Sequence, residues 1–370
     1  MTERIEFHIL QSFAPANLNR DDTGAPKDAL FGGARRGRIS SQALKRAARL
    51  YMQDNGLVPP HARSYRTKRI SGLLTEALTK AGVEEGTANE LVLAALQTLG
   101  SGKKKLQVKD AKTDYLLFVG ASELQRMADL LADYAQGLGE GKIKISADLT
   151  KALTEILTQQ NKGAIDLALF GRMVANLPEA NTDAACQVAH AISTHRVERD
   201  FDYYTAVDDR KPDDNAGADM IGTVEFNSSC YYRFSVVDIR QLSESLGSRE
   251  QARDAVAAYA QAVVEAIPTG KQNSFAAHNP PSTVLVVKRR GQPPRNLANA
   301  FEQAVSPNGR GILEESAVRL GEYWAKVDAA FGAADQAWVL DLSGAFPGST
   351  SAERVASLRE LVDSITASLG

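Results

Sequence analysis

The chain has 370 residues, 44% of them hydrophobic and 24% charged, an ordinary globular composition with enough core for roughly two or three domains. A net charge of -2 gives no overall basic field, so any polyanion site must be local, and two cysteines exclude a disulfide framework. No apolar run approaches the roughly 20 residues that span a bilayer, and the opening MTERIEFHIL lacks an apolar signal segment, which points to the cytoplasm and away from membranes.

Ile5, Phe7 and Ile9 alternate with Glu6 and His8, the period of a half-buried strand. A Gly- and Arg-bearing loop follows over residues 14–39. Ser40 or Ser41 then caps a helix whose Leu44, Ala47, Ala48 and Tyr51 recur at helical spacing. From about His61 to Ala184 the pattern is mostly helical. Ser122 with Gln125 reads as a capping box before a helix near Glu123–Tyr134, a second helix covers Ala147–Gln160, and Ile165–Phe170 reads as a short alternating segment. Arg196–Val207 alternates weakly and Thr223–Asp238 strongly, with the loop Asp208–Asp219 as the tip of a long hairpin. An amphipathic helix over Arg249–Ile267 and a buried strand over Thr283–Lys288 come next. Helical patterns near Arg295–Val305, Ile312–Phe331 and Ala352–Leu369 follow, with an apolar run at Ala337–Leu342. With the helical block removed, the order is β-α-β-β-α-β, the ferredoxin-like arrangement shared with RRM domains.

Charge is distributed unevenly. Arg20, Lys27, Arg35, Arg36, Arg38, Lys45, Arg46 and Arg49 face only three acidic residues (Asp21, Asp22, Asp28) in the same stretch, whereas Glu198–Asp219 is strongly acidic. Gln42, Lys45, Arg46 and Arg49 fall on one helix face, opposite the apolar stripe. Guanidinium forks, hydroxyls and helix-terminal N–H groups suit phosphate oxygens, and a solvated basic face is the plainer alternative. Lys103, Lys104 and Lys105 read first as a solvated loop, with a contact to duplex DNA as the second reading.

Nothing points to an enzyme. Gly102-Lys103 and Gly270-Lys271 lack the remainder of a P-loop, and there is no G-x-S-x-G. The five histidines (8, 61, 190, 195, 278) include no pair at metal-ligand spacing, since His190 and His195 are five apart. The expectation is therefore no metal, no cofactor and no catalytic residue. Asp21, Asp22 and Asp28 form the one candidate divalent-ion cluster, set against their usual part in local backbone hydrogen bonds. On strands, Tyr203 and Tyr204 read as packing residues.

Four stretches carry a resemblance. Leu18–Arg49 (LNRDDTGAPKDALFGGARRGRISSQALKRAAR) resembles the opening signature of the CasC family, the backbone subunit of type I-E CRISPR Cascade complexes. Ile165–Met173 (IDLALFGRM), Ala189–Asp209 (AHAISTHRVERDFDYYTAVDD) and Gly270–Pro280 (GKQNSFAAHNP) are similar to three further family motifs, in the same order. The resemblance implies an α+β fold: an RRM-like palm (residues 1–60 and 185–370), a large helical finger insertion (61–184) and a β-hairpin thumb (about 196–223). It implies a non-catalytic subunit that polymerises head to tail on the CRISPR guide RNA. Its partners would be further copies of itself, other Cascade subunits, target DNA through guide pairing, and a recruited helicase-nuclease. Arg20, Lys27, Arg35, Arg36, Arg38, Ser40, Gln42, Lys45, Arg46 and Arg49 would line the guide-phosphate track, with Lys271 and Gln272 near it. Met173, Tyr203, Tyr204 and Thr205 would wedge beside a flipped-out guide base. A metal-dependent RNA endonuclease using the loop aspartates and a stand-alone RRM-type RNA-binding protein are the alternatives.

Overall fold

A computed structural model of the chain describes residues 2–370 apart from 102–103, 139–142, 160–162, 175, 206–220 and 308. The chain forms two compact units. One comprises Met1–Met52, Gln187–Val237 and Val256–Gly370, and the other Gln53–Cys186 and Asp238–Ala255.

Among the described residues, the first unit is built on a ten-stranded sheet. Its strands are β1 (Glu3–Ala16), β2 (Asp28–Phe31), β3 (Ala34–Ile39), β4 (Cys186–Val188), β5 (Ala191–Ser193), β6 (Asp200–Thr205), β7 (Ile221–Asp238), β8 (Thr283–Arg290), β9 (Gln336–Asp341) and β10 (Glu353–Arg354). The spatial order is β10-β9-β8-β1-β7-β5-β3-β2, with β4 and β6 also paired to β7. At its centre β8-β1-β7-β5, with crossover helices α1 (Ser41–Asp54) and α2 (Arg249–Glu265), reproduces the β-α-β-β-α-β arrangement. The β1–β8 register is antiparallel, with Phe7 opposite Val286.

β1 is buried on both faces, which corrects the half-buried reading. Phe7 meets Tyr259 of α2 edge-on at 5.6 Å on one side. The face carrying Glu6, His8 and Leu10 lies under the helix Ile312–Phe331, whose Trp324 joins a core with Leu10, Tyr232, Leu285 and Phe301. Burial of Glu6 and His8 is tolerable because each has polar partners. Arg289 Nε donates to Glu6 Oε1 at 3.1 Å, and His8 Nδ1 lies 2.9 Å from the Tyr232 hydroxyl.

The second unit has a core of its own, formed by residues such as Leu74, Leu91, Met127, Leu131 and Leu153. Its helices include Ile70–Lys80, Glu85–Leu96, Ala121–Gln136 and Ala147–Thr158. Ile165–Phe170 is a helix rather than an alternating segment, its Asp166 carboxylate held by Ser64 Oγ at 2.6 Å. The expected Ser122/Gln125 capping box is not formed: the N-cap is Gly120, which has no side chain to give, and Glu123 Oε2 accepts its N–H at 2.8 Å. Near Arg295–Val305 only the short 3-10 turn Ala298–Phe301 is helical, because Arg295 and Leu297 spend their backbone N–H groups on Glu6 and Tyr232. The apolar run after Phe331 is strand β9. The Ala352–Leu369 pattern is helical only over Leu358–Ser368, where Ser357 Oγ caps the Glu360 N–H. Among the described residues no helix is long and apolar enough to cross a membrane.

Candidate nucleic-acid interface

The site grows from the segment that leaves β1, forms the β2–β3 hairpin and enters α1. Asn17 Nδ2 donates to the Gly24 carbonyl at 3.0 Å, and Asp21 Oδ1 accepts from Thr23 N, Thr23 Oγ1 and Ala25 N. Asp21 is thus spent on its own turn, which holds its carboxyl below the usual range chiefly through the Thr23 hydroxyl. Burial pushes the Asp28 carboxyl up, but hydrogen bonds from Arg35 and Arg199 outweigh it and leave it low. Arg35 Nη1 and Arg199 Nη2 reach Asp28 Oδ2 at 2.6 and 2.8 Å. Two arginines therefore occupy the carboxylate that the endonuclease reading needs for an ion. Among the described residues no three His, Cys, Asp or Glu side chains are grouped to hold a metal.

The arginines of this segment part company. Arg35 is exposed, and Arg38 is half-buried with Nε on the Asp28 carbonyl at 3.2 Å. Arg36 is 0% exposed, and its guanidinium donates to the carbonyls of Ser193, Thr194, Phe301 and Glu302 at 2.8–3.1 Å. It is removed from the phosphate track: four backbone acceptors bind it inside the sheet unit, and burial lowers its pKa. Gly32 and Gly37 allow the same approach, since a Cβ at Gly32 would run into the Glu302 carbonyl and one at Gly37 would meet the Tyr231 hydroxyl.

At the start of α1, Ser40 Oγ accepts the Ala43 N–H and Asn19 Oδ1 accepts the Ser40 N–H, so Ser40 is the cap. The Ser41 N–H is taken by His190 Nδ1 at 3.0 Å, a partner that sequence spacing does not reveal. Leu44, Ala47, Ala48 and Met52 are buried, while Gln42 and Arg46 are exposed and Lys45 and Arg49 half-buried. Leu44, Ala47 and Ala48 form the buried stripe as expected, but Met52 takes the place assigned to Tyr51, which is half-buried with its hydroxyl on Glu265. Arg20 is exposed and Lys27 half-buried on the same segment.

The loop after α2 rests on this segment. Gly270 lies against the Asn17–Leu18 backbone, where a Cβ would strike the Leu18 carbonyl. Lys271 takes a left-handed conformation with φ 51. Gln272 is turned inward, its Nε2 donating to Pro268 O at 3.1 Å and Ala277 O at 3.3 Å, so it shapes the loop.

β6 and the first part of β7 form a two-stranded hairpin, with Asp200 opposite Phe226 and Thr205 opposite Ile221. Phe201 and Tyr203 are 66% and 63% exposed and Tyr204 is half-open, against the packing expected of strand aromatics. Tyr204 lies across from Gly222, which leaves room for its ring. The hairpin tip falls outside the described residues, as does Lys103.

Met173 belongs to the other unit and is 84% exposed. It follows Arg172, which is fixed by Glu123 Oε2 at 2.8 Å and by the Ala180, Phe118 and Leu157 carbonyls, so this apolar side chain projects from a rigid base. Lys105 is exposed in that unit.

The sheet face that RRM domains use for base stacking is unavailable here. Its central positions Glu6, His8 and Tyr232 are buried beneath Ile312–Phe331.

The chain is similar over 99% of its length to 100% of a chain in a solved structure described as a CRISPR RNA-guided surveillance complex, pre-nicking, with a TM-score of 0.85 and 28% identity. A second structure, described as a CRISPR RNA-guided surveillance complex, matches over 99% of both chains with a TM-score of 0.75 and 25% identity. No curated protein matches by sequence. Residues 5–364 match the family described as CT1975-like protein, and the chain belongs to this Cas family.

Proposed function

We propose that this chain is a guide-RNA-binding backbone subunit of a type I-E CRISPR Cascade complex, with no nuclease activity of its own. The observation that carries the proposal is the full-length likeness to a surveillance-complex chain at a TM-score of 0.85. The basic segment supports it, because Lys27, Arg35, Arg38, Lys45, Arg46 and Arg49 are gathered on one stretch of an otherwise acidic chain.

Contacts to phosphate give affinity without sequence preference, which suits a subunit that must accept any spacer. Sequence selection then passes to base pairing between guide and target DNA. The exposed aromatics of β6 would reach a neighbouring copy and, with Met173, displace one guide base per subunit. Unstacking a base costs a few kcal/mol, and an aromatic platform returns about 1–3 kcal/mol. The exchange is close to balanced, so firm phosphate anchoring is required. A head-to-tail contact that does not close produces a filament whose length the RNA sets. Target degradation falls to a recruited helicase-nuclease.

The test is co-expression with the other Cascade subunits and a repeat–spacer array, followed by sequencing of the RNA that co-purifies. Guide-length RNA carrying all spacers is expected, and purified complex with Mg²⁺ should leave that RNA intact. Random cellular RNA, or cleavage abolished by Asp28→Ala, would contradict the proposal.

A further inference from the structure

His190 lies against the basic segment, beside Ser41, and is not explained by the cap alone. It lies in the turn between β4 and β5, is exposed, and accepts the Ser41 N–H through Nδ1 at 3.0 Å. That bond consumes the Nδ1 lone pair, so the neutral ring carries its proton on Nε2. Nε2 has no hydrogen-bond partner among the described residues. Its surroundings favour the neutral ring: partial burial, then Arg38, then Lys27 lower its pKa. The backbone ties the same groups together, since the Arg38 N–H donates to the Lys27 carbonyl at 2.9 Å. The result is an oriented neutral N–H donor with one cation on Lys27 and another on Arg38.

We infer that His190 is a further guide-binding residue, donating Nε2–H to a phosphate oxygen of the guide between Lys27 and Arg38. This rests on the guide-binding reading given above. A neutral donor behaves differently from its cationic neighbours: it adds affinity but releases no counterion, so it leaves the salt dependence of binding unchanged. A hydrogen bond from a neutral donor to an anionic phosphate oxygen is worth roughly a 10- to 100-fold change in affinity.

Two substitutions separate the donor from the cap. In His190→Asn, Oδ1 occupies the place of Nδ1 and keeps the Ser41 bond, but nothing reaches the Nε2 position. In His190→Gln, the terminal amide reaches the Nε2 position while the bond to Ser41 is lost. Fluorescence anisotropy with the full chain and a labelled synthetic guide RNA, over a salt titration, is the measurement. His190→Asn should melt at the wild-type temperature, bind about 10- to 100-fold more weakly and keep the wild-type salt slope. His190→Gln should melt lower and bind more tightly than His190→Asn. Lys45→Ala, run in parallel, should lose both affinity and about one unit of slope. Wild-type binding by His190→Asn alongside weakened Lys45→Ala, or a reduced slope in His190→Asn, overturns the His190 assignment alone. Unchanged binding in Lys45→Ala overturns the guide-binding reading and the His190 assignment with it.

Discussion

Arg199 Nη2 donates to Asp28 Oδ2 at 2.8 Å, joining residues 171 positions apart in sequence. The same guanidinium reaches Glu225 Oε2 at 3.0 Å, and Asn17 Nδ2 holds the Glu225 carbonyl at 2.8 Å. The base of the β6–β7 hairpin is thereby fastened to the loop that leads into α1. Both groups are partly exposed, so the pairs contribute modestly to stability, about 1 kcal/mol or less each. Their larger effect is on orientation. Arg199→Ala should lower the melting temperature by only a few degrees while accelerating amide exchange across Asp200–Thr205. Unchanged exchange there would mean that the hairpin is held by its strand pairing alone.

Arg36 should behave as a core residue. Arg36→Ala removes the guanidinium from four carbonyls, of which the Thr194 carbonyl keeps the Val305 N–H, and leaves a guanidinium-sized void, a loss of roughly 3 kcal/mol. Arg35→Ala, one position away, should change stability by less than about 1 kcal/mol. Urea unfolding of the two variants checks this, and equal midpoints would show that the buried bonds contribute little.

Lys45 and Arg46 should act through phosphate. Alanine at either position should weaken RNA binding equally for unrelated spacer sequences and flatten the salt dependence by about one unit of slope. Discrimination between spacers in either variant would show base contact instead.

Two histidines make stability acid-sensitive. His195 Nε2 accepts the Cys230 N–H at 3.1 Å and its Nδ1 donates to the Arg196 carbonyl at 2.8 Å, while His190 accepts from Ser41. Burial is the first cause that lowers both below the ordinary 6.5, with Arg36 adding to it at His195 and Arg38 and Lys27 at His190. The unfolded chain therefore takes up protons first as pH falls. The stabilisation is complete above pH 6.5 and is lost progressively below it. Melting temperature should be level between about pH 8 and 7 and decline below about 6.5, more shallowly in His190→Asn. A flat profile down to about pH 5.5 would show that neither ring needs to stay neutral.

The strand and helix periods along the sheet unit are readable from sequence because each repeats over several residues, as in β7, α1 and α2. The faces they bury are less so. Glu6 and His8 look solvent-facing until Ile312–Phe331, some 300 residues later, covers them. Arg35 and Arg36 are chemically identical in sequence, and only the alternation of β3 sends one outward and the other into the sheet unit. Gln272 shows the same limit: a polar residue beside Lys271 satisfies its own loop. Conversely, the exposure of Phe201 and Tyr203 runs against strand packing and becomes intelligible once β6, among the described residues, pairs with β7 alone.

The most direct test of RNA-templated assembly is native mass spectrometry of complexes formed on guides of graded spacer length, with the other Cascade subunits present. The mass should rise in whole steps of one 39.8 kDa chain as the spacer lengthens, with no RNA-free oligomer of matching size. A copy number independent of guide length, or a stable oligomer without RNA, would contradict it.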